Sequence, residues 1–175
     1  HNVENYMAAI AAIGKLVNVT SIRAVAKNFK GVEHRIEYVR EVDGVKFYND
    51  SIASSPTRAR AGLYSFKQKV ILIAGGYDKH IPFDEFGYDI KARCKRLYLI
   101  GATAPLIRDA VVKAYEGKRP LPMSYYPTLE RAVKEAYMAA EAGDVVILSP
   151  ACASFDMYKN FEERGKRYKE IVRSL

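Results

Sequence analysis

The sequence predicts an α/β fold: a Rossmann-like, mainly parallel sheet with helices on both faces. Three observations predict it. Short apolar runs such as Val70–Ala74, followed by Gly75-Gly76, and Val145–Leu148, entered from Gly143-Asp144, have strand length. Between such runs lie stretches of helical spacing, roughly 10 to 15 residues long, and that alternation implies right-handed crossovers between parallel strands. Asp43-Gly44 joins two β-rich runs with a hairpin signal, which adds one antiparallel strand at an edge. The expected sheet has about five parallel strands and one antiparallel. Strand order does not follow from these observations.

The elements follow in chain order. Val3, Met7, Ile10, Ala11 and Leu16 recur near helical spacing, so residues 2–17 read as a helix. Thr20-Ser21 can cap a second helix through Phe29, and Lys30-Gly31 closes it. That break separates a helical leader, residues 1–30, from a compact domain, residues 31–175. The hairpin strands are Arg35–Arg40 and Val45–Tyr48. A loop from Asn49 leads to a helix opening at Pro56, where proline suits the first turn. Strand Val70–Ala74 is followed by Gly75-Gly76 and a short helix over Phe83–Ala92. Strand Arg96–Ile100 stops at Gly101 before a helix over Ala104–Ala114. Met123–Tyr126 is a weak strand, and Thr128–Ala142 is a helix with Thr128 as cap and Arg131 at its third position. Val145–Leu148 and a terminal helix, Met157–Arg173, complete the chain.

Composition narrows the function classes. The chain has 175 residues, enough for one real core. No apolar run approaches the roughly 18 to 20 residues of a membrane span, and the start is unlike a signal peptide. Two cysteines, Cys94 and Cys152, argue against a disulfide framework and suit a reducing cytoplasm. The histidines His1, His34 and His80 are too scattered for a metal site with them. Net charge is +8, and much of the excess lies in the last helix: Lys159, Arg164, Lys166, Arg167, Lys169 and Arg173 against Glu162, Glu163 and Glu170. Mixed signs at that spacing read as a solvated helix face rather than a nucleic-acid surface. No RRM, KH or helix-turn-helix signature accompanies the charge. Opening at His1, almost inside a helix, the chain reads as a piece of a longer protein.

Three loops follow strands and are expected to open on one edge of the sheet, where open α/β sheets bind ligands. Asn49–Pro56 carries Asp50, Ser51, Ser54 and Ser55. Its carboxylate suits ribose hydroxyls or a cation's water shell; capping of the following helix by Asp50 or Ser55 is the plainer alternative. Gly75-Gly76-Tyr77-Asp78-Lys79-His80 offers close backbone approach and a fixed charge. Lys79 reads equally as an anion binder and as a surface lysine. Neither G-x-G-x-x-G nor G-x-x-x-x-G-K-[ST] occurs in the chain. The third loop holds Ala151, Cys152, Ala153 and the Ser154 hydroxyl. His1 and Asn5 stand one helical turn apart, where an amide can read an adenine edge. Arg35 can take a phosphate bidentately or serve as an ordinary strand residue.

Taken in order, HNVEN, HR, NDSIASSP, GGYDK and SPACASFDMYKNFEERG resemble the D-glutamate-adding branch of the Mur ligase family, from His1 to Leu175. The resemblance implies the end of a central ATPase domain and a whole C-terminal domain of a cytoplasmic, monomeric peptidoglycan-precursor ligase. It implies joining of D-glutamate to UDP-N-acetylmuramoyl-L-alanine through an acyl phosphate, with ATP and Mg²⁺ and with neither membrane nor nucleic-acid partners. Asn5, Arg35 and Asp50 would then contact ATP, and Ser54, Lys79, Ser154 and Phe161 would surround D-glutamate. Ile52 stands where many members have lysine, and Ser54 where threonine is commoner. The family's phosphate loop, magnesium ligands and carbamylated lysine belong upstream of His1, so these 175 residues are expected to be inactive alone.

Overall fold

The computed structural model describes residues 2–29 and 31–175, and the chain divides into two units between Val32 and Glu33. His1 and Lys30, the latter part of the expected helix end, lie outside the described residues. The first unit holds α1 (Asn2–Ile13) and α2 (Val19–Asn28). The cap of α2 is Asn18, not Thr20 or Ser21: its side chain accepts from the Ser21 N–H at 2.8 Å. An Asn carbonyl reaches the third helical N–H, so the helix starts two residues earlier than a Thr20 cap would start it. Gly14 and the turn after it end α1 at Ile13, short of residue 17.

In the second unit, the hairpin strands are β1 (Glu37–Val42) and β2 (Val45–Asn49), antiparallel, with Asp43 and Gly44 both at positive φ in the turn. β1 begins two residues later than expected because His34 and Ile36 also have positive φ, and the chain is still turning there. Then come α3 (Pro56–Tyr64), β3 (Val70–Gly75), α4 (Asp84–Arg93), β4 (Cys94–Ile100), α5 (Ala104–Ala114), β5 (Met123–Tyr125), α6 (Leu129–Met138), β6 (Val145–Leu148) and α7 (Phe161–Arg173). Thr128 caps α6 through the Arg131 N–H at 3.2 Å, as expected. α6 stops at Met138 rather than Ala142. Gly143, at φ 95°, donates to the Gly44 carbonyl at 2.8 Å, and that turn swings the chain into β6. α7 starts at Phe161 rather than Met157, because Asn160 accepts from the Glu163 N–H at 2.8 Å and fixes the helix start.

The sheet runs β1-β2-β6-β3-β4-β5, with every neighbouring pair parallel except β1 and β2. The expected five parallel strands and one antiparallel are present. Side chains alternate across it with a period of two. Val70, Leu72, Ala74, Leu97, Leu99 and Ile147 pack with Leu63 of α3, Phe86 and Ile90 of α4, and Ile107 and Val111 of α5. Ile71, Ile73, Tyr98, Ile100, Val146 and Leu148 pack with Val133 of α6 and with Tyr168, Ile171 and Val172 of α7. Burial on both faces explains why the strands read as continuous apolar runs. Each such side chain contributes about 1.5–3 kcal/mol.

Candidate ligand site at the carboxyl edge

β2, β6 and β3 lie side by side and parallel, so the loops after Asn49, Leu148 and Gly75 leave the sheet at the same edge. The turn at His34–Ile36 comes to this edge too, because Glu37 at the start of β1 pairs with Asn49 at the end of β2. The expected convergence of the three loops is present, and one residue fastens two of them, those after β2 and β6. Arg164 of α7 is fully buried. Its guanidinium donates to the Ser51 hydroxyl at 3.0 Å, the Ser51 carbonyl at 2.9 Å, the Cys152 carbonyl at 3.0 Å and the Ala153 carbonyl at 3.1 Å. Ser51 donates in turn to the Phe161 carbonyl at 2.7 Å. Burial lowers the Arg164 pKa to about 10, which still leaves it charged at neutral pH.

The loop after β3 is tied in from the other side. The Tyr77 N–H donates to the Ala153 carbonyl at 3.0 Å, and the two residues form a single antiparallel bridge. Gly76 sits at φ 147° against the Ala153 carbonyl, with room for no side chain. Thr103, after β4, bonds both backbone groups of Gly76 at 3.0 Å, and its hydroxyl lies 3.0 Å from the Cys152 sulfur. The Cys152 thiol is buried and its pKa is pushed up to about 11, so it stays protonated. Asp156 accepts from the Ala102 N–H at 3.0 Å.

Asp50 does not cap α3, and Ser55, which precedes Pro56, makes no side-chain cap bond. Instead Asp50 is buried, accepting from the Ser149 hydroxyl at 2.7 Å and the Ile36 N–H at 3.2 Å. Burial raises its pKa to about 6, against those two bonds and the nearby Arg35 charge. Its carboxylate thus joins the loop after β6 to the turn that presents the exposed Arg35. Asn49, also buried, donates to His34 Nδ1 at 2.9 Å and to Glu37 at 3.1 Å. Burial lowers the His34 pKa, which keeps that nitrogen free to accept.

Of the residues expected to meet D-glutamate, Ser54 is half-buried, Ser154 buried and Lys79 exposed. Phe161 is half-buried, with its ring edge-on to His34 at 6.0 Å. Their loops and the start of α7 are brought together; Asn5, exposed on α1, belongs to the other unit. Ile52 donates from its backbone to the His34 carbonyl at 3.2 Å. Two cavities lie elsewhere: about 500 Å³ beside Gly101, Arg108 and Tyr125, and about 470 Å³ beside Asp78, His80 and Lys113. Neither is lined by Ser54, Lys79 or Ser154; Lys79 is exposed at this open edge, Ser54 half-buried and Ser154 buried.

Glu33, His34 and Glu37 bring three possible metal-ligand atoms together. They do not fit a divalent ion, because the Lys169 ammonium bridges the two carboxylates at 2.6 and 3.0 Å and supplies the neutralising charge. Lys169 and Arg164 correct the expectation of a solvated α7: both are buried, whereas Lys159, Lys166, Arg167 and Arg173 are exposed as expected. The signal for Arg164 was spacing. It stands four, seven and eight residues before Tyr168, Ile171 and Val172, on the helix's buried stripe.

An α/β domain with several loops locked together at the carboxyl ends of adjacent parallel strands has the doubly wound fold, a class in which ligands bind at that edge. The chain belongs to the Mur ligase family: residues 34–152 match the description "Mur ligase, glutamate ligase domain". Its whole length is 61% identical to a UDP-N-acetylmuramoylalanine–D-glutamate ligase of Acetivibrio thermocellus and 54% identical to that of Clostridium beijerinckii. It spans 38% of the length of each of these relatives. Among solved structures, E. coli FolC in complex with ADP matches with a TM-score of 0.66 at 18% identity, over 97% of this chain and 39% of that one. A pseudomurein peptide ligase type C from Methanothermus fervidus gives 0.64 at 19% identity, over 99% and 35%. These two likenesses establish the shared fold.

Proposed function

We propose that the whole protein carrying this chain joins D-glutamate to UDP-N-acetylmuramoyl-L-alanine with ATP, as a cytoplasmic, monomeric enzyme of peptidoglycan-precursor synthesis. The observation that carries the reading is 61% identity, along the full chain, to a relative of that name. In this reading residues 1–30 end the central ATP-binding domain. Residues 31–175 form the C-terminal domain that receives D-glutamate and closes on ATP.

The roles follow from chemistry. The alanine carboxylate takes the γ-phosphoryl group of ATP, giving an acyl phosphate and ADP. The D-glutamate amine attacks the acyl carbon, and phosphate leaves with the bonding pair. Lys79, exposed at the open edge, supplies the positive charge that a desolvated D-glutamate carboxylate requires. Ser54 and Ser154 offer hydroxyls on the two loops that Arg164 binds together, and Phe161 adds an apolar wall. Arg35 is the phosphate contact of this reading and Asn5, on its own unit, the adenine contact; Asp50 holds the Arg35 turn through the Ile36 N–H. Mg²⁺ would neutralise the transferring phosphate from ligands outside this chain. No nucleic-acid partner is called for: in α7, Arg164 and Lys169 serve internal bonds and Arg167 pairs with Glu130 and Glu170.

The test is incubation of the full-length protein with UDP-N-acetylmuramoyl-L-alanine, ATP and either D- or L-glutamate. Mass spectrometry should find the D-glutamyl amide and stoichiometric phosphate. Amide formation with another amino acid and none with D-glutamate would overturn the reading.

A further inference from the structure

Two aromatic rings at the site's edge are left in water. Tyr77 is 44% exposed and Phe155 64% exposed, yet their centroids lie 5.8 Å apart, edge to face at 71°. The contact follows from the Tyr77–Ala153 bridge: Phe155 is two residues beyond Ala153, the diagonal position from which an aromatic ring reaches across. Both rings stand on fastened backbone. Thr103 holds Gly76, next to Tyr77, and Ala102 holds Asp156, next to Phe155. A single short segment after β4 therefore fixes the loops on both sides of the pair. Each ring also adjoins a residue assigned above to D-glutamate: Tyr77 is two residues before Lys79, and Phe155 directly follows Ser154.

We propose that Tyr77 and Phe155 form a fixed apolar lip that keeps water from the acyl phosphate while D-glutamate is in place. The proposal rests on the reaction proposed above. An acyl phosphate has two competing fates. Attack by the D-glutamate nitrogen forms a C–N bond, breaks the C–O bond to phosphate and releases the amine's proton to solvent. Attack by water forms a C–O bond at the same carbon, expels the same phosphate and returns the starting carboxylate. The net result of the second path is ATP plus water giving ADP and phosphate, with no amide. The faces of aromatic rings offer a water molecule no strong hydrogen-bonding partner, and excluding water is how such intermediates are protected. On this account the pair positions no reacting atom; it sets how much ATP is spent per amide.

The experiment measures phosphate released per amide formed by the full-length protein at saturating D-glutamate, for the wild type, Phe155→Ala, and Tyr77→Ala with Phe155→Ala. The wild type should give a ratio near one. The double variant should raise it about threefold or more, with Phe155→Ala between. Tyr77→Phe and Phe155→Leu, which stay apolar, should hold it near one. A merely structural role would lower turnover and leave the ratio unchanged, so a ratio near one in both alanine variants overturns the lip. Phe155 is mostly exposed, so its single variant keeps the test available if the double variant does not fold. A wild type that makes no D-glutamate-dependent amide overturns the underlying reaction and the lip with it; a coupled wild type with coupled variants overturns the lip alone.

Discussion

The Arg164 Nε donates to the Ser51 hydroxyl at 3.0 Å, while another arm of the same guanidinium donates to the Ser51 carbonyl at 2.9 Å. Among the described residues no carboxylate forms an ion pair with that charge, which is held by carbonyls and a hydroxyl. Arg164→Ala should therefore leave the Ser51, Cys152 and Ala153 carbonyls without this donor, besides opening a void. A loss of about 3–5 kcal/mol is expected, read from the urea midpoint of the 175-residue chain. Arg164→Lys should recover only part of it, because an ammonium cannot reproduce the fork. A midpoint unmoved by Arg164→Ala would deny the residue this role.

Asp50 gives stability a recognisable pH dependence. Its folded pKa of about 6 lies above the ordinary value of 3.8, so the native state binds the extra proton between those pH values. Its contribution is greatest below pH 4 and is lost as pH rises through 6, by up to about 3 kcal/mol. The melting temperature of the wild type, minus that of Asp50→Asn, should fall between pH 4.5 and 7. A constant difference would show that the carboxyl is not perturbed by burial.

Gly62 of α3 sets two effects against each other. Alanine in a helix interior gains about 1 kcal/mol over glycine. Here the new methyl would stand 2.5 Å from Asp50 Oδ2, and that carboxylate is held by Ser149 and Ile36. Overpacking of about 1–3 kcal/mol wins, so Gly62→Ala should destabilise. In a double-mutant cycle on denaturant midpoints, adding Asp50→Ala should relieve most of the cost; strict additivity would contradict the contact.

In the full-length protein, Lys79→Ala should raise the KM for D-glutamate more than that for ATP. Losing one partner of a desolvated charge pair costs about 2–5 kcal/mol, or roughly 30-fold or more. Steady-state kinetics with an unaltered D-glutamate dependence would remove Lys79 from the acceptor site.

The 175-residue chain alone should melt cooperatively yet release no phosphate from ATP, since it contains no G-x-x-x-x-G-K-[ST] loop. Circular dichroism and a phosphate assay decide it, and hydrolysis near the full-length rate would mean the phosphate cradle lies within these residues.

Much of the fold was legible because its signals are local. Val145–Leu148 is an apolar run entered from Gly143-Asp144, and Ala104–Ala114 opens with Ala-Pro; the structure places both elements on those residues. Boundaries slipped where a side chain decides them, as with Asn18 and Asn160. The place of β6 between β2 and β3 was not legible, since it depends on pairings far apart in sequence. Asp50 and Lys79 stood out because acids and amines next to glycine- and serine-rich loops are conspicuous. Arg164 and Lys169 hid among other charges, where residue type says nothing about which side of a helix is covered.

The position of β6 also bears on how the domain is made. It comes sixth in sequence but third across the sheet, so a nascent chain synthesised only as far as Ala142 has β2 and β3 with facing edges and nothing between them. Until Val145–Leu148 emerges, those strands present unpaired N–H and carbonyl rows of the kind that recruit other chains. The hairpin and the β3-α4-β4 unit can form early, but the two halves join only when the last strand is inserted. Arrested or truncated translation products ending before Val145 should therefore be aggregation-prone clients of chaperones, whereas those reaching Leu175 should not.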